Sequence, residues 1–192
     1  MRRWHRSMWS SPLIWIVVAI VIFWAVGAYN RLVRLRSSAI QAFGSLDAHL
    51  LRWLAMLGEF EAAQATAGAS GGEVRNSLRG AVTQLSASLA VARARPLQGD
   101  AVAALSAACA ALDAVWQSLQ PPADADEAVR SMSPWRARGA ELRSHNEQAA
   151  QLFNDAVLQY NAGIGQFPAL LLAWIFGFTT ARALSVAREG NS

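Results

Sequence analysis

"FNDAVLQYNAGIGQFPALLLAWIFGF", Phe153 to Phe178, is the stretch whose reading decides the topology of this chain. Its first half reads as a polar helix. From Phe167 onward it is almost wholly apolar and carries Trp174 and three Phe residues. It is a second membrane span, a piece of core, or a segment that only touches a bilayer. The window Ala156 to Ala181 has no charge and is long enough to span, but Gln159, Asn161 and Gln166 interrupt its first half. Pro168 breaks the helix where the apolar run begins. The dense part, Phe167 to Phe178, makes ~18 Å of helix, too short for a hydrocarbon core of ~30 Å. The expectation is a packing helix that ends in a membrane-surface foot formed by Phe167, Pro168, Trp174, Phe176 and Phe178.

A longer apolar segment stands near the other end. "SMWSSPLIWIVVAIVIFWAVGAYN", Ser7 to Asn30, holds no charge and makes ~36 Å of helix, enough to cross. Ser11 can cap it, and Pro12 suits the first helical position, where a missing N–H costs nothing. Trp9 and Tyr29 fall near its ends, where amphipathic rings favour the interface. Val26-Gly27-Ala28 also fits the cleavage site of a signal peptide. The long, bulky core and the unbroken helical pattern after it favour an uncleaved anchor.

Charge supports that reading. The net charge is +4, yet six of the 17 basic residues (Arg2, Arg3, Arg6, Arg31, Arg34 and Arg36) precede residue 37. The remaining 11 face all 13 acidic residues, a balance of about −2. A nucleic-acid binder concentrates basic charge on its folded domain. Here the charge flanks one apolar segment, as expected beside lipid headgroups, so no nucleic-acid partner is expected. Three Arg flank each side, so orientation is undecided. The single cysteine, Cys109, excludes an intramolecular disulfide and sits in the register of a core position.

The rest is helical in four passes. Leu32, Leu35, Ala39, Phe43, Leu46, Leu50, Trp53, Leu57 and Phe60 recur at alternating steps of three and four, a coiled-coil-like seam. "GASGG" (68–72) breaks it, and Ser70 with Glu73 fits a capping box. Leu78, Val82, Leu85 and Leu89 form the next stripe, then "RPLQGD" (95–100) turns, with Asp100 a suitable N-cap. Val102, Leu105, Cys109, Leu112, Trp116 and Leu119 follow. After "QPPADADE" (120–127), Ser133-Pro134 reads as the start of the last long helix, with a stripe through Leu142, Ala149, Phe153, Ala156, Tyr160, Ile164 and Phe167. No segment alternates as a strand would.

The expected fold is all-α: an N-terminal transmembrane helix (12–29) behind a basic flank (1–11), continuing into an elongated antiparallel four-helix bundle (30–168). Its helices are expected at about 30–67, 73–94, 100–119 and 134–167, followed by an apolar membrane-proximal segment and tail (169–192). The first helix leaves the membrane, so the fourth returns to it and delivers Phe167 to the bilayer surface. The shorter middle helices leave a membrane-proximal two-helix stalk with apolar surface free to meet neighbours.

"YNRLVRLRSSAIQAFGSLDAHLLR" (Tyr29–Arg52), directly after a membrane helix, resembles the start of the LemA family. "HNEQAAQLFNDAVLQYNAGIGQFPALLLAWIFGF" (His145–Phe178) resembles that family's closing motif, with Asn146, the Phe153–Val157 run, the Tyr160-Asn161 pair, Phe167-Pro168 and Phe176-Gly177-Phe178 in order. The resemblance covers about 58 residues at the two ends. The middle departs: "WLAMLGEFEAAQ" lacks the family's Leu-Ile-Pro-Asn-Leu stretch, and "WQSLQPPADADEAVRSMSPW" replaces its acidic Tyr-Pro segment. The resemblance implies a bacterial single-pass membrane protein with a helical bundle domain. It implies no activity.

Catalytic constellations are scarce. No Gly-rich loop precedes a Lys, no Cys pair exists and no His-Glu-x-x-His occurs. His49 and His145 fall at equal distance from the membrane in the bundle, with Asp47 and Glu147 near in sequence. Bundles build metal sites from such positions, but no Glu-x-x-His pair is present and no metal or other cofactor is expected. Glu147, Asn154 and Asn161 are heptad-spaced and share a face with Asn146 nearby. Tyr29, Asn30, Asp47, Arg52, Asn146, Asn154, Asp155, Tyr160 and Asn161 are therefore expected to serve packing or assembly, chiefly as hydrogen bonds between the first and last helices. The functional expectation is a non-enzymatic, membrane-anchored scaffold or assembly protein of the bacterial envelope. Its partners are the bilayer and either further copies or another membrane protein, with no small-molecule substrate. The alternative is an accessory or regulatory subunit of a separate envelope enzyme such as a protease or phosphatase.

Overall fold

A computed structural model describes residues 12–66, 72–119, 126–166 and 169–185. The N-terminal flank 1–11, Ser70, Phe167 and Pro168 lie outside the described residues, as does the tail beyond Ser185. Among the described residues every regular element is an α-helix: α1 (Pro12–Thr66), α2 (Gly72–Ala94), α3 (Gly99–Ser118), α4 (Asp126–Gly165) and α5 (Ala169–Phe176).

α1 is one unbroken helix of 55 residues, ~80 Å long. From Pro12 through Val26 its large apolar side chains are exposed, Phe23 by 83%. From Leu32 the same helix presents a buried seam through Ala39, Phe43, Leu46, Leu50, Trp53, Met56, Leu57 and Phe60. The switch follows from composition: an all-round apolar helix needs an apolar solvent, whereas a one-sided seam needs a partner helix. α3 is also long and apolar enough to cross a membrane. However, Val102, Leu105, Ala108 and Leu112 have essentially no exposed surface, so its apolarity serves the core.

α1 and α4 pack along their length in opposite directions. Leu35 meets Gly163, Phe43 meets Phe153, His49 meets His145 and Phe60 meets Trp135. Each step up α1 is a matching step down α4, so the end of α4 lies beside the end of the apolar span. α2 runs opposite to α1, with ion pairs Asp47–Arg93 and Glu61–Arg79. α2 and α3 pack as a hairpin, and α3 meets α4 through Asp113–Arg143 and Trp116–Gly139.

Two helix starts differ from expectation. α4 begins at Asp126, so Pro134 lies inside the helix instead of opening it. Pro134 is exposed, and the backbone bond it loses opens to water. Two residues earlier, Met132 is buried in the core, which holds the added turns in place. α3 is capped by Gln98, without a side-chain bond, and Asp100 stands in its first turn. There its charge favours the helix dipole.

The quoted stretch ends as a short helix and a turn. α5 has eight residues, ~12 Å. Its stop is the Gly177-Phe178 pair. Gly177 adopts φ +69°, and the Phe178 N–H donates to the Ala173 carbonyl at 2.9 Å. That is the Schellman closure, which places Gly in the left-handed conformation just past the helix. The turn sends the chain back along α4, away from the apolar span. The chain up to Ser185 is thus a strap on the helical domain; Ala181 and Leu184 are buried in the core.

Candidate functional site

The strap gives the Asn face its role. Asn161 accepts from the Ala181 N–H and donates to the Ala181 carbonyl, both at 2.8 Å. Asn154 does the same with Leu184, at 2.7 and 2.8 Å. Ser106 of α3 accepts from the Ser185 N–H at 3.1 Å. Each carboxamide thus reads one residue's backbone, as a neighbouring β-strand would. The expected hydrogen bonds between α4 and α1 are not made by these residues; their partner is the chain's own C-terminal strap. The reason is placement: they lie on the α4 flank that faces α3, while Phe153, Val157 and Tyr160 fill the seam against α1.

The remaining polar residues separate. Asp47 pairs with Arg93 of α2, and Arg52 contacts His49 on its own helix at 3.4 Å. Asn30 and Asp155 are exposed. Asn146 is buried, and neither atom of its carboxamide has a partner. It borders a cavity of about 70 Å³ with Trp53, Ser106, Asp113 and Leu184. Burial raises the Asp113 carboxyl above its usual range; Arg143 opposes this and Glu147 adds to it. Burial also pushes the Cys109 thiol up to about 12, with Asp113 contributing.

The structure brings His49 and His145 together, ring centroids 5.8 Å apart and tilted by 47°. Among the described residues no third His, Cys, Asp or Glu joins them to make a metal-sized group. Burial, then Arg52 and His145, lower the pKa of His49.

At the end of the apolar span, the Tyr29 ring lies 5.1 Å from that of Phe176, tilted by 53°, and meets Phe178 edge-on at 6.2 Å. Arg31 donates to the side chain of Gln166 at 2.7 Å. The stalk is therefore partly clothed by the chain's own end. Leu32, Tyr160 and Ile164 are buried, while Trp174 is 84% exposed. A cleft of about 600 Å³ opens beside this cluster, between Arg36, Tyr160 and the α2–α3 turn at Arg95. Burial raises the Tyr160 hydroxyl pKa, and the Arg36 guanidinium opposes that shift. Sequence reading missed both the cleft and the strap. A signal for the strap existed in the Asn spacing; the cleft joins residues from four distant segments and left none.

No protein-family model, no curated protein and no solved structure matches this chain.

Proposed function

We propose that the protein is a non-enzymatic, LemA-like scaffold of the bacterial cell envelope: a single-pass membrane protein whose antiparallel four-helix bundle organises further copies or another membrane protein. The observation that carries this reading is the continuity of α1. One helix is exposed and apolar along its first turns and becomes the central seam of the core without a break. An anchor joined by a flexible linker leaves its domain free to tumble, whereas a shared helix fixes the domain's axis to the bilayer. α5 adds a second contact, with Leu170, Leu171, Trp174, Ile175 and Phe176 exposed beside the span. A rigid pillar with an apolar foot suits lateral association in the membrane plane.

The test is crosslinking in native membranes. Discrete oligomers, or one captured membrane protein, are expected, and Trp174→Ser with Phe176→Ser should weaken them. A constant one-to-one complex with an envelope enzyme would shift the reading to an accessory subunit. Monomers alone, the same in wild type and variant, would remove it.

A further inference from the structure

The cleft at the membrane end has the chemistry of an anion site. Its wall carries Arg36 from α1 and Arg95 from the α2–α3 turn, with the rings of Tyr29, Tyr160, Phe176 and Phe178. No Asp or Glu lines it. Among the described residues neither guanidinium has a carboxylate partner; Arg95 reaches only the neutral side chain of Gln98, at 3.3 Å. Four other arginines, Arg79, Arg93, Arg138 and Arg143, each meet an acid, whereas these two share an acid-free wall. Two cations that share a cleft without a counter-charge repel each other, and an anion placed between them relieves that repulsion.

Position names the anion. Tyr29 closes the apolar span, the depth at which amphipathic rings sit at the headgroup boundary. Arg36 is two turns further along α1, ~10 Å deeper into the polar side. The headgroup layer occupies roughly 5–8 Å per leaflet, and a flexible arginine reaches back across the difference. The Phe176 and Phe178 rings, on the membrane side of the same cleft, offer an apolar surface to the upper part of an acyl chain. The volume of about 600 Å³ lies within the ~300–1,000 Å³ common for small-ligand sites.

We infer that this cleft binds the phosphate of an anionic phospholipid, held between Arg36 and Arg95 with its glycerol end against Tyr29, Phe176 and Phe178. The inference rests on α1 as a membrane anchor, and the experiment separates the two. The full chain is extracted in a mild neutral detergent and offered equal phosphatidylglycerol and phosphatidylcholine. Native mass spectrometry then counts the lipids retained. Wild type should prefer phosphatidylglycerol. Arg36→Gln should cut that preference about fivefold, and Arg36→Gln with Arg95→Gln about twenty-five-fold, at roughly fivefold per arginine near a headgroup. Arg138→Gln, at the far end of α4, should leave it unchanged. Both cleft arginines are exposed, so the double variant should keep its far-UV dichroism and melting point. Equal retention of the two lipids by wild type, or an unaltered preference in the double variant, overturns the site. Displacement of the lipid by millimolar inorganic phosphate would show a free-phosphate site and overturn the lipid assignment. Release of the chain from membranes by carbonate would instead refute the anchor.

Discussion

Replacing Asn161 by Ala should release the C-terminal strap while the helices stay folded. Asn161 makes two hydrogen bonds to Ala181, both at 2.8 Å. Each is worth about 1 kcal/mol net. Asn161 is half-buried, so its truncation lets water reach the backbone groups of the buried Ala181, and the full desolvation penalty does not apply. The cost is therefore about 2 kcal/mol, an increase of about thirtyfold in the open population of the strap. Trypsin reports that population directly. Arg182 is exposed, but its backbone lies between the two Asn clamps, and a protease needs several residues free on each side of the bond. Cleavage after Arg182 in the full chain, followed by mass spectrometry, should accelerate about thirtyfold in Asn161→Ala as long as opening is fast and rare. Asn154→Ala should behave alike. The double variant should approach the rate of a free peptide instead of multiplying the two effects, because an undocked strap has no second clamp to lose. Asn161→Asp should be at least as damaging, since a carboxylate still accepts the Ala181 N–H but repels its carbonyl. If cleavage after Arg182 is unchanged while global stability falls, the Asn residues act between helices and the clamp is wrong.

Three further outcomes follow from other contacts. A Cβ on Gly163 would lie 2.5 Å from the Leu35 Cδ1, so Gly163→Leu must displace the Leu35 side chain and overpack the α1–α4 seam, at a cost of about 1–3 kcal/mol. A thermal melt equal to wild type would show that the helices do not approach this closely. The Cys109 thiol, raised to about 12, is neutral at pH 8, so iodoacetamide should label it only after denaturation; labelling of the folded chain at the rate of a free thiol refutes this. The pKa of His49 is lowered from 6.5 on folding, so the unfolded chain binds that proton more tightly and stability falls as pH drops through about 6.5. Denaturant midpoints at pH 7.5 and 5.5 should converge in His49→Gln relative to wild type, and an identical pH dependence in both refutes the assignment.

Much of the fold was legible because helices announce themselves by period. The three-and-four steps from Leu32 to Phe60 name one face, and all of those positions but the half-buried Leu35 are buried. The pairing of α1 with the end of α4 follows from counting passes, since four helices with short connections return to their start. The start of α4 was not legible. Proline at the head of an apolar pattern reads as a helix start, and only the burial of Met132, a tertiary fact, outweighs that local signal. The partners of Asp47 and Arg52 were not legible either. Their partners, Arg93 and His49, depend on the rotation of α1 by one position, which a seam of threes and fours leaves undefined.

The strap is the instructive case, because its signal lay in the sequence in a form that helical reasoning does not test. "TTARALS" has no helical period, and its apolar residues are few. Taken alone it reads as a tail. Its partner, however, is a ruler: Asn154 and Asn161 are seven residues apart, ~10.5 Å on a helix. An extended chain covers the same distance in three residues, ~10 Å, and the two clamped residues, Ala181 and Leu184, are three apart. Heptad-spaced Asn on a helix therefore matches two quite different partners. A second helix offers side chains at the same spacing, whereas the strap offers its backbone, with Ala181 and Leu184 placed to meet the two carboxamides. The strap meets the oxygen and one N–H of each carboxamide with the backbone of a single residue. A buried Asn between helices seldom achieves that, which is why such an Asn sets register at a cost in stability. The Gly177-Phe178 turn supplies the missing condition, since it aims the chain back along α4 so that an extended segment arrives where the two carboxamides wait. The stretch that reads as a membrane foot thus carries the turn that seats the strap, and its glycine ends α5 after eight residues.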